Sequence, residues 1–261
     1  MIMGNFRIPY PLNEPVYDYA PGSPERKKLE AAISDLKSEV VDIPMVINGE
    51  EIRVGDPIRI ASPHNHSLEL GKCYQGGAEQ VEAAVKAAMN AKKMWAAMPA
   101  WERASVFLKA ADLLAGPYRY KMNAATMLTH SKNIFQAEID SVCELVDFFR
   151  FNAYYMQTIY DQQPGNAPML WNKIDYRPLE GFVFAVTPFN FVSIAGNLPS
   201  APAIMGNTSV WKPASSVAYT AYIIMEIFKE AGLPDGVINM VTARGKDIGE
   251  LVLKNRDLGG I

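Results

Sequence analysis

Three patterns of hydrophobic and polar positions follow one another along the chain, and they divide it into segments 1–45, 46–172 and 173–261. The first segment is a proline-rich arm followed by a charged helix, which is predicted over 23–36 because it opens with the helix-start pattern Ser-Pro-Glu. In the second segment, apolar and polar positions alternate on both sides of Asn48-Gly49, which predicts a β-hairpin. We expect this ribbon to be able to pair with another subunit.

The spacing of apolar positions predicts the elements of the remaining chain. Up to residue 172 the spacing is helical, with an interruption near 131–133. Beyond residue 172, short apolar runs alternate with helical stretches, and residues 259–261 lead toward a further strand that the chain does not complete. The predicted helices are 78–98, 101–114, 122–160, 192–206, 218–231 and 246–253, and the predicted strands are 181–186, 208–211 and 237–241. This alternation predicts an α/β fold with a parallel, Rossmann-type sheet.

Three acidic residues form a stripe late in the long helical stretch. Asp140, Glu144 and Asp147 fall four and then three residues apart, which places them on one face of a helix. Such a stripe is either the solvated face of the helix or part of a binding surface. The spacing alone leaves both interpretations open.

Composition and charge narrow the classes of function. With 49% hydrophobic and 20% charged residues, the chain is typical of a globular protein with a substantial core. A net charge of −3 provides no basic surface for nucleic acid, and no apolar run approaches the roughly 18 residues of a membrane span. The three histidines have no metal-ligand spacing with the cysteines, so we expect no metal site.

The N-terminus and the cysteine count indicate a reducing compartment. The first residues contain no apolar signal core, and they are not the arginine- and serine-rich, acid-poor stretch of a transit peptide. Two cysteines do not form a disulfide framework. We therefore expect a cytoplasmic protein if the source is bacterial, and a protein of the mitochondrial matrix if it is eukaryotic.

One stretch, residues 186–214, interrupts its apolar pattern at two places. A first run ends at Thr-Pro-Phe-Asn-Phe, and after a series of small residues a second run ends at Trp-Lys-Pro. Proline and asparagine at the end of a buried strand expose backbone and an amide at the carboxyl edge of a sheet, where α/β proteins bind ligands. The pattern alone also allows, and by itself favours, Asn190 as a turn former and Lys212 as a solvated charge, and the G-x-G-x-x-G fingerprint is absent after the first strand.

The motifs of this stretch resemble the aldehyde dehydrogenase superfamily, which binds NAD(P) on a Rossmann domain without that fingerprint. TPFNF followed by WKPA is specific to the superfamily, and SPERKKLE, QAEIDSVCELVDFFRFNA and RPLEGFVFAV resemble its Δ1-pyrroline-5-carboxylate dehydrogenase branch. The resemblance implies an aldehyde dehydrogenase-like α/β fold with N-terminal helices and a β-hairpin. It also implies NAD as cofactor, oxidation of the small molecule L-glutamate γ-semialdehyde to L-glutamate, and a homo-oligomer in the complete enzyme.

The resemblance assigns individual roles to residues of this chain. Asn190 matches the amide that stabilises the oxyanion formed when a cysteine thiolate adds to the aldehyde. Phe191 would form a wall for the aliphatic part of the substrate, and Glu144 would lie near its amino end, where a carboxylate suits an ammonium group. The positions that match residues bordering the ribose, phosphates and adenosine of the cofactor are Thr187, Pro188, Lys212, Ala214, Ser215, Gly245 and Gly249.

The resemblance also indicates what the chain lacks. The nucleophilic cysteine of the family lies well over a hundred residues beyond the asparagine of the PFN motif, and Cys73 and Cys143 both precede that asparagine. We interpret both as structural thiols and expect an N-terminal fragment of the enzyme that is inactive alone. Two alternatives stay open: another aldehyde dehydrogenase branch with a different substrate, and a non-catalytic nucleotide-binding or oligomerisation module.

Overall fold

The structure, a computed structural model, describes residues 6–261 and contains helices packed around two β-sheets. The helices are α1 (Pro24–Ser38), α2 (Ala78–Ala97), α3 (Ala100–Ala115), α4 (Arg119–His130), α5 (Ile134–Ala137), a π-helix (Glu138–Glu144), α6 (Leu145–Tyr160), α7 (Val192–Ile204), a 3₁₀ turn (Ser215–Val217), α8 (Ala218–Ala231) and α9 (Gly245–Leu253). The strands are β1 (Val41–Ile43), β2 (Met45–Ile47), β3 (Glu50–Ile52), β4 (Ile58–Ser62), β5 (Asn65–Cys73), β6 (Phe182–Val186), β7 (Ser209–Lys212), β8 (Ile238–Met240) and β9 (Leu258–Gly260).

The main sheet has six strands in the order β3-β2-β8-β7-β6-β9. The four strands β8, β7, β6 and β9 are parallel, which confirms the predicted Rossmann-type sheet. The chain runs from β6 to β7 to β8 in one direction and then returns to place β9 on the opposite side of β6. A sheet that reverses its order in this way has a crevice at the carboxyl ends of the strands, where ligands bind. In this chain the reversal lies between β6 and β9.

Apolar side chains cover both faces of the parallel strands. On one face, Phe182, Phe184 and Val210 share a cluster with residues of α2 and α9. On the other face, Ala185 and Trp211 join a larger cluster that contains residues of α3, α6, α7 and α8. Strands buried on both faces are continuous apolar runs rather than alternating ones, which explains why the sequence of β6 reads as Phe-Val-Phe-Ala-Val.

The predicted hairpin forms, and its first strand pairs within the chain's own sheet. Asn48 and Gly49 have φ values of 53° and 76°, the left-handed conformation that a two-residue turn between β2 and β3 requires. The ribbon joins the chain's own sheet, because β2 pairs with β8 through Val46 and Met240. β2 is thus paired on both sides within the chain, whereas β3 lies at the edge of the sheet, so pairing of the ribbon with another subunit through β3 stays a prediction. The following strands, β4 and β5, form a separate sheet with β1.

Residues near 260 form a strand, whereas the sequence pattern indicated only the approach to one. β9 pairs in parallel with β6, so that Phe182 lies opposite Leu258. The backbones approach closely here: a Cβ added at Gly181 would lie 1.8 Å from the carbonyl oxygen of Asp257. Glycine is required at this place because any side chain would separate the two segments.

The helical part agrees with the predicted interruption near residue 131. Ser131 ends α4 in the left-handed conformation (φ 55°), and Asn133 caps α5 by accepting a hydrogen bond from the Gln136 amide at 2.9 Å. The chain then forms the π-helix before α6 begins. Single π-turns inside helices are rare and often lie at functional sites.

Candidate active site

The carboxyl ends of β6 and β7 bring two predicted cofactor residues together. Val186 and Lys212 are register partners, and the Thr187 amide donates to the Lys212 carbonyl at 3.2 Å. The hydroxyl of Thr187 is buried and accepts a hydrogen bond from the Trp211 indole at 3.0 Å. The Thr187 side chain is therefore packed into the protein, with its hydroxyl held by Trp211.

Four exposed residues connect β6 to α7. They follow a strand whose first four residues are buried, and Phe189 and Phe191 are 65% and 40% exposed. Pro188 and Asn190 are exposed as well. The structure therefore places the Asn190 amide in the open at the carboxyl edge of the sheet, where a donor can reach a ligand.

Lys212 is half-buried at the last position of β7. Burial lowers the pKa of its ammonium group, whose nearest partner is the carbonyl of Pro213 at 3.3 Å. The interpretation as a fully solvated charge is therefore wrong. A partly desolvated ammonium group with one weak partner is suited to donate to a polar ligand.

Two further predicted residues lie at the start of the 3₁₀ turn after β7. Ala214 precedes the turn. The Ser215 hydroxyl lies 3.2 Å from Nε2 and 3.3 Å from Oε1 of the Gln75 side chain. Gln75 belongs to the connection between β5 and α2, which also reaches the end of β8, since the Gly76 amide donates to the Thr242 carbonyl at 2.7 Å. No pattern in the sequence indicated Gln75, because this residue lies 140 residues from its partner Ser215.

Gly245 and Gly249 lie in the first turns of α9. A Cβ built on either glycine meets no described atom within 4 Å. The space beside both residues is open, so a ligand can approach this backbone closely. The described residues therefore do not themselves require glycine at either position, and neither has a positive φ, so the role of both beside the cofactor stays a prediction.

Two carboxylates of the acidic stripe meet one hydroxyl of α7. Ser193 Oγ lies 3.0 Å from Asp140 Oδ1 and 2.8 Å from Glu144 Oε2, and its single hydrogen can be donated to only one of them at a time. Asp140 is buried and Glu144 is partly buried. The solvated-face interpretation of the stripe is therefore wrong for Asp140, and Glu144 contacts the first turn of α7, the helix that follows Asn190.

Asp147, the third residue of the stripe, has a different partner. Its carboxylate accepts from the Asn13 side chain at 2.6 Å and from the Glu14 amide at 2.7 Å, both in the N-terminal arm. The stripe thus divides between two surfaces: its first two members face α7 and its third binds the arm.

Both cysteines are buried, Cys73 fully and Cys143 to all but 4% of its surface. Burial raises the pKa of both thiols, and that of Cys143 reaches about 12. Because the thiolate is the nucleophilic form, neither residue is activated for attack. This geometry supports their interpretation as structural thiols.

The described residues 6–261 contain neither a candidate metal centre nor a membrane-spanning helix. Within that range, no group of three or more histidine, cysteine or acidic side chains has the geometry to hold a metal ion. None of the helices in the described part of the chain is both long enough and apolar enough to cross a membrane.

Comparisons with known proteins agree with the fold described above. The model of the aldehyde dehydrogenase family matches residues 52–261. The Δ1-pyrroline-5-carboxylate dehydrogenase of Agaricus bisporus is 50% identical over 92% of this chain and 44% of its own length, and the mitochondrial enzyme of that name from Homo sapiens is 44% identical over 95% of this chain and 44% of its length. A crystal structure of the Mycobacterium tuberculosis enzyme bound with NAD has a TM-score of 0.97 and 51% identity, covering 98% of this chain and 48% of that one. The chain spans about half the length of these relatives.

Proposed function

Because the chain belongs to the aldehyde dehydrogenase family, we propose that it binds NAD and takes part in the oxidation of L-glutamate γ-semialdehyde to L-glutamate. The observation that carries this proposal is the shared carboxyl edge of β6 and β7, where an exposed Asn190 and a half-buried Lys212 follow neighbouring strands. The NAD-bound Mycobacterium tuberculosis structure, with its TM-score of 0.97, supports the choice of cofactor.

The residues at the edge of the sheet fit a dinucleotide. Lys212 would donate to the ribose hydroxyls of the adenosine half, with Ala214 and Ser215 beside it. The backbone of Thr187 and Pro188 would border the nicotinamide-side ribose and phosphates. Gly245 and Gly249 have open space in front of them, which a Cβ would partly fill. When bound, NAD supplies the hydride acceptor for the oxidation.

Three residues would act on the aldehyde. Asn190 would hold its amide where negative charge develops on the carbonyl oxygen, which lowers the barrier because the donor is already in place. Phe191 would contact the aliphatic part of the substrate. Glu144 would attract the ammonium group through its carboxylate, whose orientation is held by Ser193.

A hybrid enzyme tests this proposal. In it, the present chain replaces the matching half of the Mycobacterium tuberculosis enzyme, to which it is 51% identical. The resemblance assigns the nucleophilic cysteine and the general base to the retained half. We expect the hybrid to bind NAD and to oxidise glutamate γ-semialdehyde, as followed by NADH absorbance.

Other results of the same experiment would favour the alternatives. A hybrid that reduces NAD only with other aldehydes would indicate another branch of the family. A hybrid that folds and associates but binds no NAD, by calorimetry, would indicate an oligomerisation module and contradict the proposal.

Replacing Lys212 should weaken NAD binding. A charged donor to a hydroxyl contributes about 1.5–3 kcal/mol, so Lys212→Ala in the hybrid enzyme should raise the NAD dissociation constant by about 10- to 150-fold. Lys254→Ala is the matched control, because Lys254 pairs with Glu250 on the exposed surface of α9. Equal NAD affinities of the two variants would show that Lys212 only ends a strand.

The 261-residue chain by itself should reduce no NAD with glutamate γ-semialdehyde. Both of its thiols are buried and their pKa values are raised, so no nucleophile is available. The same burial should protect both cysteines from iodoacetamide in the folded chain and expose them in urea. Turnover that disappears in the Cys143→Ser variant would contradict this expectation.

The cell compartment and the assembly of the protein are part of the same proposal. We place the protein in the cytoplasm of a bacterial source or in the mitochondrial matrix of a eukaryotic one; the human relative carries "mitochondrial" in its name. We further place it in a homo-oligomer. Sedimentation of the hybrid enzyme as a monomer would contradict that assembly.

A further inference from the structure

The first turn of α7 receives its cap from another helix. The residue before the helix, Phe191, has no side-chain acceptor for the free amides of this turn. Asp140 of the π-helix supplies it: its two carboxylate oxygens each accept from one amide, that of Val192 and that of Ser193, both at 3.3 Å. The Ser193 hydroxyl lies 3.0 Å from the same carboxylate. A buried carboxylate at this position also interacts favourably with the positive end of the helix dipole.

A lysine connects this carboxylate to the exposed segment. Lys132 Nζ lies 2.5 Å from Asp140 Oδ2 and 4.3 Å from the ring centroid of Phe191. The side chain of Lys132 is only 17% exposed, so both contacts are largely shielded from water. The lysine therefore neutralises the buried carboxylate and holds the Phe191 ring by a cation–π contact.

These contacts fix one end of the segment that carries Asn190. Its other end is fixed at Thr187, where the backbone pairs with β7 and the hydroxyl binds Trp211. Pro188 to Phe191 are exposed and lie between the two fixed points. The position of the Asn190 amide therefore depends on the end of the segment that Asp140 holds.

We propose that Asp140, with Lys132, is a positioning residue that fixes Asn190 and Phe191 for reaction by capping α7 from the π-helix. The catalytic part of this inference rests on the function proposed above, whereas the cap itself does not. Asp140 would touch neither substrate nor cofactor, and it would act through the backbone of the residues that do.

Amide hydrogen exchange in the 261-residue chain tests the cap without any substrate. Asp140→Asn keeps the size of the side chain, but its amide group can accept at one atom only. The Val192 and Ser193 amides should then exchange about 5- to 30-fold faster, the range typical of a lost cap. Asp147→Asn is the matched control, since Asp147 contacts the N-terminal arm and not α7. Unchanged exchange in Asp140→Asn would overturn the proposal.

Kinetics of the hybrid enzyme test the positioning. Asp140→Asn should lower kcat by about 10- to 100-fold, because a displaced donor no longer meets the developing charge, and should leave the NAD dissociation constant unchanged. An equal loss of NAD affinity would indicate a general structural defect and overturn the positioning role, as would an unchanged kcat.

The two experiments separate the inference from the proposed function. An inactive hybrid with the unaltered chain would count against the function, and the exchange measurement would then decide on the cap by itself. If Asp140→Asn does not fold, Lys132→Met removes the partner of the carboxylate and the contact with Phe191. That variant should also accelerate exchange of the Val192 and Ser193 amides, by about fivefold; unchanged exchange would overturn the inference.

Discussion

Asn190→Ala in the hybrid enzyme should lower kcat by about 10²–10³ while the NAD dissociation constant stays nearly unchanged. Removing one preplaced oxyanion donor typically has this effect, because the interaction exists only when charge has developed on the carbonyl oxygen. The structure supports the assignment: Asn190 is exposed at the carboxyl edge of the sheet, and its segment is held at both ends. Single-turnover kinetics with a measured acylation step would separate this effect from product release.

Asn197→Ala is the matched control for this prediction. Asn197 lies on α7, and its side chain accepts from Asn152 of α6 at 2.8 Å, away from the edge of the sheet. Its replacement should leave kcat within about twofold of the unaltered hybrid. If Asn190→Ala weakens NAD binding as much as it slows the reaction, Asn190 is a cofactor or folding residue instead.

Arg119→Met should destabilise the 261-residue chain by about 3–5 kcal/mol, the usual cost of leaving a buried carboxylate without its partner. Arg119 and Glu138 are 1% and 0% exposed, and the guanidinium group forms a salt bridge with Glu138 and another with Glu14 at 2.6 Å. The far side of the Glu138 carboxylate accepts from Tyr19 at 2.7 Å and Asn123 at 2.6 Å. Urea unfolding of the unaltered chain and of the Arg119→Met variant would measure the difference in unfolding free energy.

The same network fastens the N-terminal arm. Arg119 donates to the Pro15 carbonyl at 2.7 Å, and its guanidinium carbon lies 3.8 Å from the ring centroid of Tyr17. Arg119→Met should therefore also expose the arm to proteases. Arg26→Ala is the control, because its pair with Glu30 is exposed and contributes at most about 1 kcal/mol. If Arg119→Met and Arg26→Ala lowered the unfolding free energy by similar amounts, the importance of the buried network would be contradicted.

Much of the fold follows from interactions between residues that are close in sequence. The cap of α1 by Ser23, the Asn48-Gly49 turn and the end of α4 near residue 131 all depend on contacts within a few residues. The spacing of apolar positions alone predicts β6, β7 and β8 and the helices between them. The alternation of these strands and helices in turn predicts the parallel sheet. The placement of Asn190 and Lys212 at its carboxyl edge follows too, because Lys212 ends β7 and Asn190 lies in the short connection that follows β6.

Only the tertiary structure decided which elements meet. The sequence pattern identified the ribbon of β2 and β3 but not its pairing with β8, which lies about 190 residues further along the chain. For β9 the pattern indicated only the approach to a strand, because two of its three residues are glycines, and it contained no information on the pairing with β6.

The acidic stripe shows why the site itself was only partly predictable. Helical spacing placed Asp140 and Glu144 on one face, and the motif located Asn190, but periodicity contains no information on what that face contacts. The amides that Asp140 caps lie 52 and 53 residues away, and they come close only because the π-helix packs against α7. The sequence by itself determined the elements and the residues at their ends, since these depend on local geometry. The tertiary structure decided the burial of Asp140 and its contacts with α7, since these depend on the packing of distant helices.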